Sequence, residues 1–481
     1  MRHLSLSLIL VFSALLVCTV SAEAAYTWEQ TAFSETAIQS EMGRLIPHPT
    51  DPGTLFLATV NMPAILGGTL DPADGLWMTA DLGQTWTTIN DSVLLTTYNI
   101  LDIAICQTNP DVMYVATIEE GIFKSTDGGQ SWSDVSGSFQ YGGETFPNTK
   151  WGVMAVAVDP TDADRVYISV AQIGELDVLN LAPSHPGFFY STDGGATWLE
   201  NNSGLPPRYD DLWDGKSHTA AAGSIVVLPQ KPNLVILGMA DLEVNTAFLF
   251  NKTAETRGRV FASNTSGEGT FFEVSGGLPV QVKQSPEISG SLARVSSSTM
   301  LLSNTTGSRL GVWGSHVGLT FDVSLDATLN VTRNKGLFFT PNGYWQERNS
   351  GLPHVANWTD NSSTTNSTIK FVDTYNMGNV AVGKGEWDNI CLSGSNRCDM
   401  GDATTNNTKV YATANSGLPA WLKSWDTGLD SSPTYGYTEA NATMITFNAD
   451  MSYGFATVRW SDDDQTSLFK DDNGVYRFRV W

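Results

Sequence analysis

The sequence predicts an all-β fold, a single seven-bladed β-propeller closed by an N-terminal strand. Three observations predict it. Apolar runs come in pairs joined by a Pro-containing turn. A strand, an Asp/Gly turn and a Trp-bearing second strand follow three of these pairs. A Gly-Leu-Pro marker recurs at Gly204-Leu205-Pro206, Gly277-Leu278-Pro279, Gly351-Leu352-Pro353 and Gly417-Leu418-Pro419. Repetition of this kind marks stacked supersecondary units.

In chain order, residues 1–25 read as a signal peptide. Arg2 and His3 precede an apolar run from Leu4 to Val20, and Ser21-Ala22-Glu23-Ala24-Ala25 supplies small residues for cleavage. A membrane anchor is the alternative for this run. No later segment is long and apolar enough to span a bilayer. Residues 26–481 then make the propeller domain.

The first hairpin runs from Leu45-Ile46 through Pro47-His48-Pro49 to Leu55–Thr59. The next joins Ile103-Ala104-Ile105 to Met113–Thr117 through Asn109-Pro110, and a third joins Met154–Val158 to Val166–Ile168 through Asp159-Pro160. Ile225–Val227 reaches Leu234–Ile236 through Pro229 and Pro232. The repeated unit then supplies a third and a fourth strand. In Gly121–Trp132, Phe123 gives the third strand an aromatic to pack. Asp127-Gly128-Gly129 makes the turn, because a short carboxylate accepts from nearby N–H groups and glycine tolerates positive φ. Trp132 is a large apolar anchor just beyond it. Gly75–Trp86 and Gly187–Trp198 repeat the unit.

Later units are degenerate. Gly258–Ser263 continues to Phe271 without the Asp and the Trp. Gly336–Trp345 keeps the Trp but has Asn342 at a shifted position. Lys409–Ala412 and Gly474–Arg477 read as later third strands. The units span 40–95, 96–140, 150–207, 220–280, 290–354, 368–422 and 440–481. The last has no room for its outer strand. Tyr26-Thr27-Trp28-Glu29-Gln30 supplies one, closing the ring and removing an open edge. The alternative is one part of a two-propeller protein.

The pattern Ser/Thr-x-Asp-x-Gly-x-Ser/Thr-Trp, present three times, resembles the Asp-box or BNR repeat. That repeat occurs in sialidase-like, sortilin-like and xyloglucanase-like β-propellers and in photosystem assembly factors. The box is structural there, so the resemblance implies a fold and leaves the function open. It implies turn-holding roles for Asp81, Asp127 and Asp193 and core roles for Trp86, Trp132 and Trp198. Three equivalent carboxylates on separate blades also cannot converge on one substrate.

A sialidase needs an arginine cluster, a tyrosine nucleophile and an acid/base. Arg44, Arg165, Arg259 and Arg294 fall in no pattern that makes such a cluster. In the xyloglucanase-like family the first blade carries a catalytic Asp at the end of a strand. The matching strand here reads Leu57-Ala58-Thr59-Val60-Asn61, and an amide is neither a general acid nor a base. Asp71 and Asp74 are nearby stand-ins without a spacing that requires them.

The formal net charge is -24, from 26 basic and 50 acidic residues. Such a surface repels nucleic acid and anionic lipid and suits an extracellular protein. Cys391 and Cys398 lie in one polar loop and read as a small disulfide, while Cys106 reads as a buried free thiol. His48 reads as structural in its turn, and His185 and His316 are isolated. No metal-ligand spacing, EF-hand or Gly-rich nucleotide loop is present, so no metal or cofactor is expected. Eleven Asn-x-Ser/Thr sequons, at Asn90, Asn201, Asn251, Asn264, Asn304, Asn330, Asn357, Asn361, Asn366, Asn406 and Asn441, read as surface loops of a secreted glycoprotein.

Two stretches outside the repeat are candidate binding loops. Pro207–Thr219 joins the third and fourth units and holds Tyr209, Asp210, Asp211, Trp213 and Asp214. Glu386-Trp387-Asp388 lies near the cysteine pair. Both also read as ordinary solvated loops. The sequence thus points to a secreted or cell-surface propeller that binds an extracellular glycan or protein. The alternative is a glycoside hydrolase acting on an extracellular polysaccharide.

Overall fold

The computed structural model describes residues 27–35, 41–60, 75–94, 99–117, 120–141, 144–146, 152–171, 187–205, 222–229, 231–246, 260–274, 439–461 and 472–479, and the backbone of further short strands between 207 and 424. Every regular element among them is a β-strand. No helix among the described residues is long and apolar enough to cross a membrane.

Apart from a parallel pairing of Ser138–Gln140 with Thr197–Leu199, the strands form antiparallel sheets of the kind that make propeller blades. The first holds Glu41–Pro47, Leu55–Val60, Leu76–Thr79 and Thr87–Thr88, in chain order across the sheet. The second holds Ile100–Ile105, Met113–Thr117, Ile122–Ser125 and Ser133–Asp134. The third holds Gly152–Val158, Val166–Ala171, Gly187–Ser191 and Thr197–Glu200, with a hairpin from Ser138–Tyr141 and Glu144–Phe146 on its outer edge. A later four-stranded sheet is built on Val380–Ala381, Asn389–Ser393, Lys409–Thr413 and Lys423–Ser424.

The second strand of each sheet shows why the sequence reads as continuous apolar runs. Met113–Thr117 is buried at every position. Successive side chains leave a strand on opposite faces. Tyr114 and Ala116 pack with Val156 and Ile168 of the third sheet, while Met113 and Val115 pack with Phe56 and Leu76 of the first. Val166 and Ile168 face the second sheet, and Tyr167 faces Val235 and Leu237 of the fourth. The second and third sheets are therefore covered on both faces by their neighbours, so both faces are mostly apolar. Fully burying one such side chain stabilises the fold by roughly 1.5–3 kcal/mol.

The fourth unit departs from the sequence reading. Its second strand runs from Lys231 to Thr246. Val235–Gly238 pairs with Val260–Ser263 inside the unit, and Ala240–Thr246 pairs with Leu292–Ser298 of the next. Units expected to be separate thus share one sheet. The stretch Leu234–Thr246 holds no proline to end the strand.

The last sheet is Glu439–Phe447, Tyr453–Ser461 and Asp472–Arg479, and Glu29–Glu35 adds to it as the fourth strand. Glu29 lies opposite Arg477 and Gln30 opposite Tyr476. The N-terminal strand therefore extends beyond Gln30. Phe33 packs with Leu45, Leu55 and Leu57 of the first sheet and with Phe455 and Val475 of the last. Asn448 Nδ2 donates to Pro52 O at 3.0 Å, and Arg477 donates to Leu82 O at 2.8 Å.

In the first three sheets this order leaves two different ends. Turns joining strands one to two and three to four lie at one end. Connections between strands two and three, and between successive sheets, leave from the other. We call them the turn end and the connection end.

Candidate functional site

At the turn end, the three repeated aspartates sit in nearly identical networks. Asp127 Oδ1 accepts from Ser125 Oγ at 2.8 Å and Ser131 N at 2.9 Å, and Oδ2 accepts from Ser131 Oγ at 2.6 Å. Ser125 Oγ in turn accepts from Gly129 N at 2.8 Å. Asp81 bonds Thr79 and Thr85, and Asp193 bonds Ser191 and Thr197, in the same way. Hydrogen bonds from Ser131 and Ser125 hold the Asp127 carboxyl down at about 2. Asp81 and Asp193 are also lowered. Burial opposes the shift there, and the bonds from Thr85, Thr79, Thr197 and Ser191 outweigh it.

The residue after each aspartate ties the two turns of a sheet together. Leu82, Gly128 and Gly194 N donate to Gly53, Asp111 and Asp164 O. All three have positive φ, which costs glycine nothing and is uncommon for leucine. The tryptophans then bond the preceding sheet. Trp132 Nε1 donates to Ile89 O and Trp198 Nε1 to Val135 O, both at 2.9 Å, and Trp86 Nε1 reaches Thr31 Oγ1 at 3.4 Å.

A fourth turn of this geometry lies in the degenerate unit Gly258–Phe271. Thr265 takes the aspartate's place: its Oγ1 lies 3.0 Å from Ser263 Oγ and accepts from Gly269 N at 2.8 Å. Ser266 N donates to Asn233 O, and Phe271 packs against Phe188 of the third sheet. Ser263 and Gly267 were the surviving signals. The lost carboxylate and the aromatic moved by one position masked them.

At the connection end, the insertion after the third unit is a hairpin. Pro207–Asp210 pairs with Ser217–Thr219, setting Tyr209 opposite His218 and Asp210 opposite Ser217. Asp211, Trp213 and Asp214 fall between these strands, outside the described residues. Glu386, Trp387, Asp388, Asn61, Asp71 and Asp74 are also outside them.

Sequence reasoning missed a charged cluster on the first strands. Arg44 lies within the first strand, Glu41–Pro47. Five first strands carry a bulge at the same place, between Met42 and Arg44, Ile100 and Asp102, Val153 and Ala155, Ala222 and Ser224, and Ala442 and Met444. The bulge re-aims the next side chain. Arg44 Nε lies 3.0 Å from Asp102 Oδ1, and Asp102 Oδ2 accepts from Val156 N at 3.0 Å. Three successive sheets meet at this carboxylate. Burial raises the Asp102 pKa, and Arg44 works against that rise. Arg44 keeps 36% of its side chain exposed.

Among the described residues, no three His, Cys, Asp or Glu side chains are grouped to hold a metal. Cys106 is a buried free thiol 3.6 Å from Asp159 O. Cys391 is on the strand Asn389–Ser393, and Cys398 lies outside the described residues, so their pairing is not observed. His48 Nδ1 accepts from Asp51 N at 2.9 Å within its turn. Burial lowers its pKa, against the pull of Asp51.

Residues 74–206 match the profile of the Sortilin-Vps10 family, described as sortilin, neurotensin receptor 3. No curated protein sequence matches the chain. The chain is similar to the crystal structure of the GH74 xyloglucanase from Xanthomonas campestris, with 12% identity and a TM-score of 0.48 over 93% of this chain and 55% of that one. It thus spans about half the length of that enzyme. It is also similar to YCF48 bound to D1 peptide, at 10% identity and a TM-score of 0.44 over 94% of this chain and 97% of that one. For YCF48 from Cyanidioschyzon merolae the values are 12%, 0.42, 94% and 98%. Identities and TM-scores this low transfer no activity. The sheets are propeller-like, and residues 74–206 are similar to the sortilin family model.

Proposed function

We propose that the chain is a secreted, seven-bladed Asp-box propeller that binds an extracellular glycan or protein at its connection end. The observation that carries this reading is the saturation of the repeated carboxylates. The oxygens of Asp81, Asp127 and Asp193 are taken up by hydroxyl and N–H groups of their own turns. A general acid, base or nucleophile needs a free oxygen aimed at substrate. Side chains at liberty to meet a partner belong to the connections, which the blade repeat does not need.

The hairpin bearing Tyr209, Asp210, Asp211, Trp213 and Asp214 is the proposed surface, with Glu386, Trp387 and Asp388 as a second patch. An aromatic face stacks on a sugar or buries an apolar side chain, and carboxylates accept from hydroxyls or attract cations. Ring closure by Glu29–Glu35 is supported by its pairing to Asp472–Arg479 and by the packing of Phe33 between the first and last sheets. The Sortilin-Vps10 match supports a binding role, since the family description names a receptor. Secretion rests on the signal-like residues 1–25 and the acidic surface, which disfavours nucleic acid.

An array of glycans and polysaccharides, read for both binding and product release, tests the proposal. Retention of a ligand without release supports it. Release of shortened sugar, abolished by neutralising one carboxylate, establishes a hydrolase instead.

A further inference from the structure

Three sequon asparagines have described side chains, and the fold uses them differently. Asn90 Oδ1 accepts from Leu76 N at 2.8 Å, and its Nδ2 is completely buried. A carbon added to Gly75 would come within 2.7 Å of that nitrogen, so the Gly75 side of the amide is closed. Asn201 Nδ2 donates to Gly267 O at 2.5 Å and Gly269 O at 2.8 Å, across the boundary between the third and fourth sheets. The other half of that sequon is also engaged, with Ser203 Oγ 3.1 Å from Thr270 Oγ1. Asn264 differs. It is exposed, at the second position of the fourth turn.

We infer that Asn264 is a glycan attachment site and that Asn90 and Asn201 are unglycosylated structural amides. This corrects the reading of every sequon as a surface loop, and it rests on the secretion reading above. The transfer uses a lipid-pyrophosphate-linked oligosaccharide as donor. The asparagine Nδ2 attacks the anomeric carbon, the C–N bond forms, and the bond from that carbon to the phosphate oxygen breaks. The lipid pyrophosphate leaves, and the amide proton passes to a base of the transferase. One N–H remains on the amide nitrogen. At Asn201 both N–H groups are already in use, so a glycan there removes one bond to the fourth sheet and must fit between two packed sheets. At Asn90 the nitrogen has no path to solvent. At Asn264 the sugar projects from the turn end, away from the proposed binding end.

The test is secretion of the full chain from a glycosylating eukaryotic cell, followed by enzymatic deglycosylation in heavy-oxygen water and peptide mass spectrometry. Label at Asn264 and none at Asn90 or Asn201 in the monomeric secreted fraction is the expected result. Label at Asn90 or Asn201 in that fraction, or an unlabelled Asn264 beside labelled sequons elsewhere, overturns the inference. Failure to enter the secretory route, with no label anywhere, overturns the secretion reading and this inference with it. Asn201→Gln and Asn264→Gln made in a non-glycosylating host supply the second arm. Asn201→Gln lowers the melting temperature and Asn264→Gln leaves it unchanged. Equal melting of the two variants contradicts the structural role of Asn201.

Discussion

The two ends of the sheets obey different rules. At the turn end, four successive units repeat the same bonds: a hydroxyl at the strand end, an acceptor two residues later, and an N–H tied to the neighbouring turn. At the connection end the lengths and residues vary, from the short link at Thr117–Gly121 to the paired hairpin at Pro207–Thr219. The repeated end satisfies itself, so its polar groups are scaffold. The variable end is released from that constraint, and there a binding surface can change without disturbing the blades. Arg44 and Asp102 blur the division, because they sit toward the connection end yet tie three sheets together.

The largest effect expected is from deleting Glu29–Glu35. It exposes the edge at Asp472–Arg479 and removes Phe33 from the core shared by the first and last sheets. Aggregation or unfolding in size-exclusion chromatography is the expected outcome, and a monodisperse deletion variant with unchanged melting speaks against closure. Trp198→Ala comes next. The side chain is fully buried and its indole bonds Val135 O. Denaturant titration is expected to show a loss of about 3–5 kcal/mol.

Arg44→Ala is expected to cost about 2 kcal/mol in the same titration. Breaking a fully buried pair costs roughly 3–5 kcal/mol, and the partial exposure of Arg44 reduces that. A null effect removes Arg44 and Asp102 from the scaffold and makes them available to a ligand. Acid sharpens the comparison with a smaller effect. The folded Asp127 carboxyl titrates at about 2, below its unfolded value of about 3.9. Its stabilisation is present above the unfolded value and is lost as pH falls through the folded one. Melting of the wild type and of Asp127→Asn is therefore expected to converge between pH 4 and pH 2, with the wild type ahead at pH 5.

How much of this was legible follows from the chemistry of each residue. The turn signature at Asp127-Gly128-Gly129 is local, so it could be read directly. The paired runs could be read too, since Tyr114 and Met113 face different neighbours and both must be apolar. The fourth unit could be read only as a degenerate copy, because Thr265 replaces a carboxylate with a hydroxyl that makes only part of the bond set. The Arg44–Asp102 contact spans two units and depends on a bulge in each strand, and no short pattern encodes it. The burial of Asn90 Nδ2 and the hydrogen bonds of Asn201 likewise depend on neighbouring strands and sheets, which a sequon does not report.

The central claim is that the turn end is scaffold and the connection end is the binding surface. Asp127→Ala and Trp213→Ala, compared by thermal melting and by calorimetry against a ligand recovered from the array, test it most directly. The account predicts that Asp127→Ala lowers the melting temperature and leaves the affinity of the folded fraction unchanged. It predicts that Trp213→Ala weakens binding by about 1–3 kcal/mol with little change in melting. Loss of binding in Asp127→Ala at an unchanged melting temperature, with full affinity retained in Trp213→Ala, would contradict it.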